Sequence, residues 1–238
     1  MSDVKRPNIE PLDLSERGVN GQSSNRRLFM QLQVFTGCSD SAAVVEAMEM
    51  TGVRGVMYED VNDPMGVGIV TYTQDPEDLV GEVRRLYNGE PFVRLERRGD
   101  FTMIGRTYTL GYEPNVEETL IQRPINTLRH EEWNWAVWYP LRRKGSFARL
   151  LPEEQREVLM EHGKIGMQYG GNDLAHDIRL ACHGLDAHDN DFVVGVVGKE
   201  LAPLSKLVET MRRTQQTSLH IERLGPFFVG RKVWQSAE

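Results

Sequence analysis

The chain has 238 residues, 39% hydrophobic and 26% charged, with 22 glycines and 11 prolines. That balance excludes collagen-like, low-complexity and wholly disordered chains. Lys and Arg number 28 against 35 Asp and Glu, a net charge of −7, which argues against nucleic acid or an anionic membrane surface as partner. Cys38 and Cys182 show no CxxC spacing, so neither a disulfide framework nor a zinc cluster is encoded. The apolar runs are too short for a membrane span and the first residues lack the apolar core of a signal peptide, so a soluble, cytoplasmic protein is expected.

Residues 1–25 are polar and aperiodic, with Pro7, Pro11, Gly18 and Gly21, and predict a flexible or surface-draped tail, with order beginning at Arg26. Leu28–Phe35 reads as a strand. A helix follows, capped by Ser39 or Ser41, carrying Val44, Val45, Met48 and Met50 as its apolar face and stopped by Gly52. Val53–Val61 is a second strand, Asn62–Gly66 a turn and Val67–Gln74 a third strand. Asp75-Pro76 opens one helix running to about Tyr87. A fourth strand lies within Pro91–Leu95 or Phe101–Leu110.

The order β-α-β-β-α-β then recurs. Trp133–Leu141 is an aromatic strand, and PEEQREVLMEHGKIGMQYGG a helix with Pro152 near its start and acids in its first turn. Ile178–Leu185 is a strand, Asp186–Asp191 a turn and Phe192–Gly198 a strand. ELAPLSKLVETMRR is the second helix and Ser218–Leu224 the last strand. The two halves share an acidic turn, a valine-rich strand and a helix ending in paired arginines, an internal repeat of roughly 100 residues. The fold expected is α+β: a tandem ferredoxin-like repeat of the dimeric α+β barrel type with antiparallel sheets, divided into residues 26–125 and 126–238.

His162 stands out by helical geometry, since Val158, His162, Ile165 and Tyr169 share one face. A histidine on an apolar stripe is either a core residue with satisfied ring nitrogens or an axial ligand, the proximal ligand that a haem iron takes. Gly163 and Gly166 leave flat space beside the ring. His176, His183 and His188 lack the spacing of a shared tetrahedral site. Asp177 and Arg179, two apart on a strand, share a face. They are either a surface ion pair or, if that face lines a cavity, a fixed cation for an anionic oxygen. The tryptophans at 133, 135 and 138 are packing material. Tyr139, followed by Pro140 and the basic run Arg142-Arg143-Lys144, suits a site that pairs with carboxylates. MGVGIV lacks the rest of a dinucleotide fingerprint.

WYPLRR, EEQREVLMEHGKIG, CHGLDAHDNDFVVGVVG and LGPFFVG together resemble the chlorite dismutase family, which also contains the coproheme decarboxylases of bacterial haem synthesis. The likeness is firm over Trp133–Gly230 and weaker over Arg26–Leu110. It implies two ferredoxin-like halves, haem in the C-terminal half and usually a pentamer. The histidine of the EHG motif, the family's proximal iron ligand, matches His162. The tyrosine of the YPxxK motif matches Tyr139, and Arg143 stands at the lysine position, cast as the anchor of a propionate. The tryptophan that often follows is missing from RRKGSFARLL. For the family's distal residue a gapless count gives Ala175, counting back from GLD gives Asp177, and a slipped register gives Arg179. The acid that hydrogen-bonds the proximal histidine is replaced by Gln216, a neutral partner that makes the imidazole less donating. The resemblance implies a haem-dependent oxidoreductase that binds haem b or coproheme and uses peroxide in the manner of a coproheme decarboxylase, with Tyr139 relaying an electron and a proton. Chlorite dismutation, haem sensing with little turnover, and a scaffold that has lost its cofactor are the alternatives. The partners implied are the porphyrin, a small oxidant (peroxide or chlorite) and further copies of the chain.

Overall fold

Alternation within the strands decides the architecture, because successive side chains point to opposite faces and here both faces are buried. The protein is described by a computed structural model over residues 10–237. In chain order the elements are a small hairpin of β1 (Glu16–Arg17) and β2 (Ser23–Ser24), then β3 (Phe29–Thr36), α1 (Ser41–Thr51), β4 (Gly55–Asp60), β5 (Val67–Thr73), α2 (Glu77–Val80), α3 (Glu82–Tyr87), β6 (Glu96–Arg97) and β7 (Met103–Arg106). A π turn over Glu118–Gln122 leads into α4 (Arg123–Arg129). The second half holds β8 (Trp135–Arg143), α5 (Pro152–Gly171), β9 (His176–Ala181), β10 (Phe192–Gly198), α6 (Leu201–Met211), α7 (Gln215–His220), β11 (Ile221–Leu224) and β12 (Phe228–Gln235).

Each half has the ferredoxin-like strand order, β7-β3-β5-β4 and β12-β8-β10-β9, all antiparallel. The halves join edge to edge at two seams. One is the run Gly230–Gln235 of β12 against Val56–Asp60 of β4; the other is the pair Arg106–Ala181 between β7 and β9. Eight strands thereby close into a barrel. Its interior is apolar, with Tyr58, Trp138 and Phe228 all buried. Phe228 lies over Gly68 and Trp138 over Gly195, where a Cβ would stand 2.6 Å from the Trp138 ring. The glycine of the discarded dinucleotide motif is thus a packing device, repeated in both halves. Helices cover the outer faces, α1 and α3 on the first half and α5 and α6 on the second.

Several elements depart from the sequence reading. Asp40, not Ser39 or Ser41, caps α1 by accepting from Ala42 N at 3.0 Å. The helix expected from Asp75 to Tyr87 is broken at Gly81. The last strand of the repeat is β12 rather than 218–224, whose first three residues end the helix Gln215–His220 and of which only Ile221–Leu224 forms an extra strand beside β8. Of the expected tail, residues 1–9 lie outside the described residues. The following stretch carries β1 and β2 and is tied down: Glu16 pairs with Arg27 and Arg106, and Val19 N donates to Glu113 O. No helix among the described residues is long and apolar enough to cross a membrane.

Two measurements follow from this packing. Gly195→Ala drives a methyl into Trp138 and is expected to cost about 1–3 kcal/mol in denaturant unfolding. Lys232 is buried on β12, its ammonium donating to His130 O and Gln235 Oε1, and burial with help from the Arg129 charge pushes its pKa down from 10.5 to about 8. Between those values the unfolded chain binds a proton that the folded chain does not, so this group makes stability rise as pH rises from about 8 to 10.5. Unfolding midpoints of wild type and Lys232→Met across that window should differ by the loss of that rise.

Candidate functional site

The 20-residue helix α5 carries the stripe expected of it: Val158 is buried, and His162, Ile165 and Tyr169 are half-buried toward the sheet. Pro152 opens the helix, and Leu151 N donates to Glu154 Oε2 at 2.8 Å. A Cβ on Gly163 would meet nothing within 4 Å, and one on Gly166 only the Met211 methyl at 3.9 Å. Neither glycine is therefore packed against by the rest of the chain.

The contact at the imidazole comes from α7. His162 Nδ1 stands 3.5 Å from Thr214 Oγ1, the residue that caps α7. Glu161 Oε2 accepts from Gln215 N at 2.8 Å and pins the same turn to α5. This corrects the assignment of Gln216 as the histidine's partner: Gln216 is buried in the next turn, and its Oε1 has no hydrogen-bond partner among the described residues. Reading 218–224 as a strand concealed a threonine in cap position, the signal that would have found Thr214.

The sheet beneath presents one face of three strands. Val194 on β10 lies opposite Arg179 on β9 and Tyr139 on β8, and Phe227 stacks on Tyr139 with ring centroids 4.8 Å apart. Arg179, Val194, Tyr139 and Phe227 thus form a row across the sheet. Farther along β8 the Arg143 guanidinium lies between the rings of Phe147 and Phe192, 4.7 and 4.6 Å from their centroids, with a buried Nε that has no partner. Its backbone N–H donates to Asp191 Oδ2. The expected pair of Asp177 and Arg179 is present, with Oδ2 2.8 Å from Nε, while Oδ1 of the same carboxylate lies 3.4 Å from Arg123 at the start of α4. Ala175, the gapless alternative for the distal position, is buried in the cluster beneath the helices. His176 is drawn off into a stack with Trp133 and His130, and His183 and His188 bond to Asp191 and Gly99 O.

These groups share one electrostatic field. Burial pushes the His162 imidazole down to about 4, and the charges of Arg143 and Arg179 push the same way, against Asp177 and Glu161. The ring is therefore neutral at pH 7 and keeps a free lone pair. Burial pushes the Tyr139 phenol well up, helped by the Asp177 charge and opposed by Arg212. Burial also lowers Arg143, which nevertheless stays protonated.

The two outer faces of the barrel differ in how they are filled. In the first half Phe35, Val44, Met48, Ile69, Val83 and Leu86 are fully buried under α1 and α3. In the second half Val137, Ala175, Val196, Leu204 and Leu207 are buried, while Tyr139, Ile165, Tyr169, Val194, Met211 and Phe227 packed against them stay only partly buried. A partly buried apolar face with a neutral imidazole on the helix and two guanidiniums on the sheet suits a flat, apolar, anionic ligand with a metal centre.

A family model described as chlorite dismutase matches residues 75–233. The chain belongs to the chlorite dismutase family. Among solved structures, a heme-binding protein from Thermus thermophilus is 17% identical, with a TM-score of 0.67 over 88% of this chain and 92% of that one. A mutant chlorite dismutase from Candidatus Nitrospira defluvii in complex with cyanide is 15% identical, with a TM-score of 0.66 over 89% and 92%. At such identities the likeness is one of fold. A search of curated proteins finds no match. In this chlorite dismutase family member, Thr214, Arg123, Phe147, Phe192 and Phe227 are the neighbours of His162, Asp177, Arg143 and Tyr139 that spacing along the chain does not single out.

The field at His162 is open to direct measurement. In the apo-protein its ring should titrate near 4 by NMR, and Arg143→Gln should move the value upward, because a neighbouring positive charge is removed.

Proposed function

We propose that the cleft binds an iron porphyrin, haem b or coproheme, and that the protein is a haem-dependent oxidoreductase acting with peroxide as a coproheme decarboxylase does. The observation that carries this reading is the partly buried apolar face between α5 and the sheet, with a neutral His162 on one side of it and Tyr139, Arg143 and Arg179 on the other. The residues fit the group. A neutral imidazole with an apolar shell is a donor for haem iron, and the unspent Nε of Arg143 suits a propionate carboxylate.

When bound, the porphyrin iron supplies one-electron oxidation chemistry with peroxide. The chain's residues then divide the remaining work. His162 holds the iron, and Thr214 sets the ring's orientation through Nδ1 without the full negative charge of a carboxylate, which leaves the imidazole a weaker donor. Arg143, fixed between two phenyl rings, holds one porphyrin edge. Tyr139 keeps its proton because burial and Asp177 disfavour the phenolate, so it can give up an electron and a proton together. Arg179, in the same row, supports a second reading, chlorite dismutation, in which it would hold an oxyanion near the iron; Asp177 beside it is a ligand-site residue only through that arginine. Further copies of the chain as partners, with a pentamer as the family habit, rest on the resemblance.

The test is an absorption titration of apo-protein with ferric haem b and, separately, coproheme. A saturable Soret band at one equivalent that is lost in His162→Ala is expected, with Tyr139→Phe retaining the band but losing the peroxide-driven conversion of propionates to vinyl groups and CO2. Oxygen release from chlorite without decarboxylation of coproheme would favour the second reading. Absence of binding to either porphyrin would refute both.

A further inference from the structure

Where β5 runs past the start of β4 and turns into α2, a cavity of about 380 Å³ opens to solvent, and none of its lining residues belongs to the site around His162. Its size is that of a small-molecule site. The break at Gly81 brings both short helices over it, Asp78 and Leu79 from α2 and Glu82 and Val83 from α3. Leu79, Val83 and Ile125 form its apolar wall. Its mouth is acidic, with Asp75, Asp78 and Glu82 against a single guanidinium, Arg54. Asp78 Oδ2 accepts from Thr73 Oγ1 and Asp75 Oδ1 from Glu77 N, while the second oxygen of each carboxylate makes no hydrogen bond among the described residues. Deeper in, Thr71 lines the cavity on the same face of β5 as Thr73; it is 1% exposed, and its Oγ1 has no hydrogen-bond partner among the described residues. The Tyr87 hydroxyl near it is buried and unbonded as well, and burial pushes its pKa up against a smaller opposing pull from Thr71. A buried hydroxyl without a partner is costly, and a ligand that supplies one recovers that cost.

We propose that this cavity binds a small amine that carries a hydroxyl at its far end. The ammonium donates to the free oxygen of Asp78, and Asp75 and Glu82 deepen the negative field at the mouth. The hydroxyl meets Thr71. Thr71 and Thr73 are two positions apart on one strand, so their side chains stand roughly 7 Å apart, and Asp78 is held by the outer one. A phenyl ring with a short arm spans that distance and lies against Leu79, Val83 and Ile125. The three carboxylates turn anions away, and an amine without the hydroxyl leaves Thr71 unpaired. No residue of this site is assigned to the porphyrin, so the two readings stand or fall separately.

The experiment is isothermal titration of the full-length protein at neutral pH and constant ionic strength, with circular dichroism as the check on folding. The probes are tyramine, phenethylamine, which lacks the hydroxyl, and ethylphenol, which lacks the charge. Tyramine should saturate at one equivalent and bind on the order of tenfold more tightly than either analogue. Thr71→Val, close in shape, should bring tyramine down to the affinity of phenethylamine and leave phenethylamine unchanged. Asp78→Asn should weaken both amines on the order of tenfold and spare ethylphenol. Glu82→Gln, at an exposed position, should give a smaller loss of the same sign and serves in place of Asp78→Asn if that variant does not fold. Absence of saturable tyramine binding would overturn the proposal. So would equal affinity for tyramine and phenethylamine in the wild type, or amine binding indifferent to these variants. Tyramine binding without a Soret band would reject the porphyrin reading and leave the amine site standing; a Soret band without tyramine binding would do the reverse.

Discussion

Closure of the barrel is the constraint on which everything else rests. Each half is a four-stranded sheet with two open edges, and each ends in a strand that pairs with its own first strand and with the second strand of the other half. Once closed, the interior belongs to side chains: Tyr58, Trp138 and Phe228 fill it so tightly that Gly68 and Gly195 must lack a Cβ. A ligand of any size is therefore excluded from the centre and must lie on an outer face, between sheet and helices.

The two outer faces then diverge by composition. The N-terminal helices are short and bring Val44, Met48, Val83 and Leu86 down onto the sheet. The longer α5 places a histidine in its inward stripe, between Val158 and Ile165. The sheet below answers with Arg143, Tyr139 and Arg179 on one face. A repeat whose copies share one topology thus carries an apolar layer in one half and a layer mixed with titratable groups in the other.

Much of this was legible in the sequence because it depends on local period. Helix 152–171 and strand 192–198 have the predicted bounds, and the stripe through His162 points where 3.6 residues per turn places it. The closing strand was not legible: Gly225-Pro226 and the lysine at 232 interrupt the apolar pattern, and Lys232 is tolerated only because its ammonium finds His130 O and Gln235. Gly81 broke a helix whose apolar positions are continuous, since spacing carries no information about a backbone kink. The neighbour of His162 was misassigned to Gln216 for want of the short helix α7, and the contact between Arg123 and Asp177 joins residues too far apart in the chain for any spacing argument.

The seam between β12 and β4 also orders events during synthesis. The edge of β4, with Val56, Met57 and Tyr58, is made early, but its neighbour is the last strand of the chain. Until Phe228–Gln235 has emerged, the nascent first half carries an unpaired apolar edge able to accept a strand from another molecule. The contact that closes the barrel is among the most distant in sequence, so the finished ring forms late and all at once. Pairing with Phe228–Gln235 is what removes that edge as a site for association with another molecule.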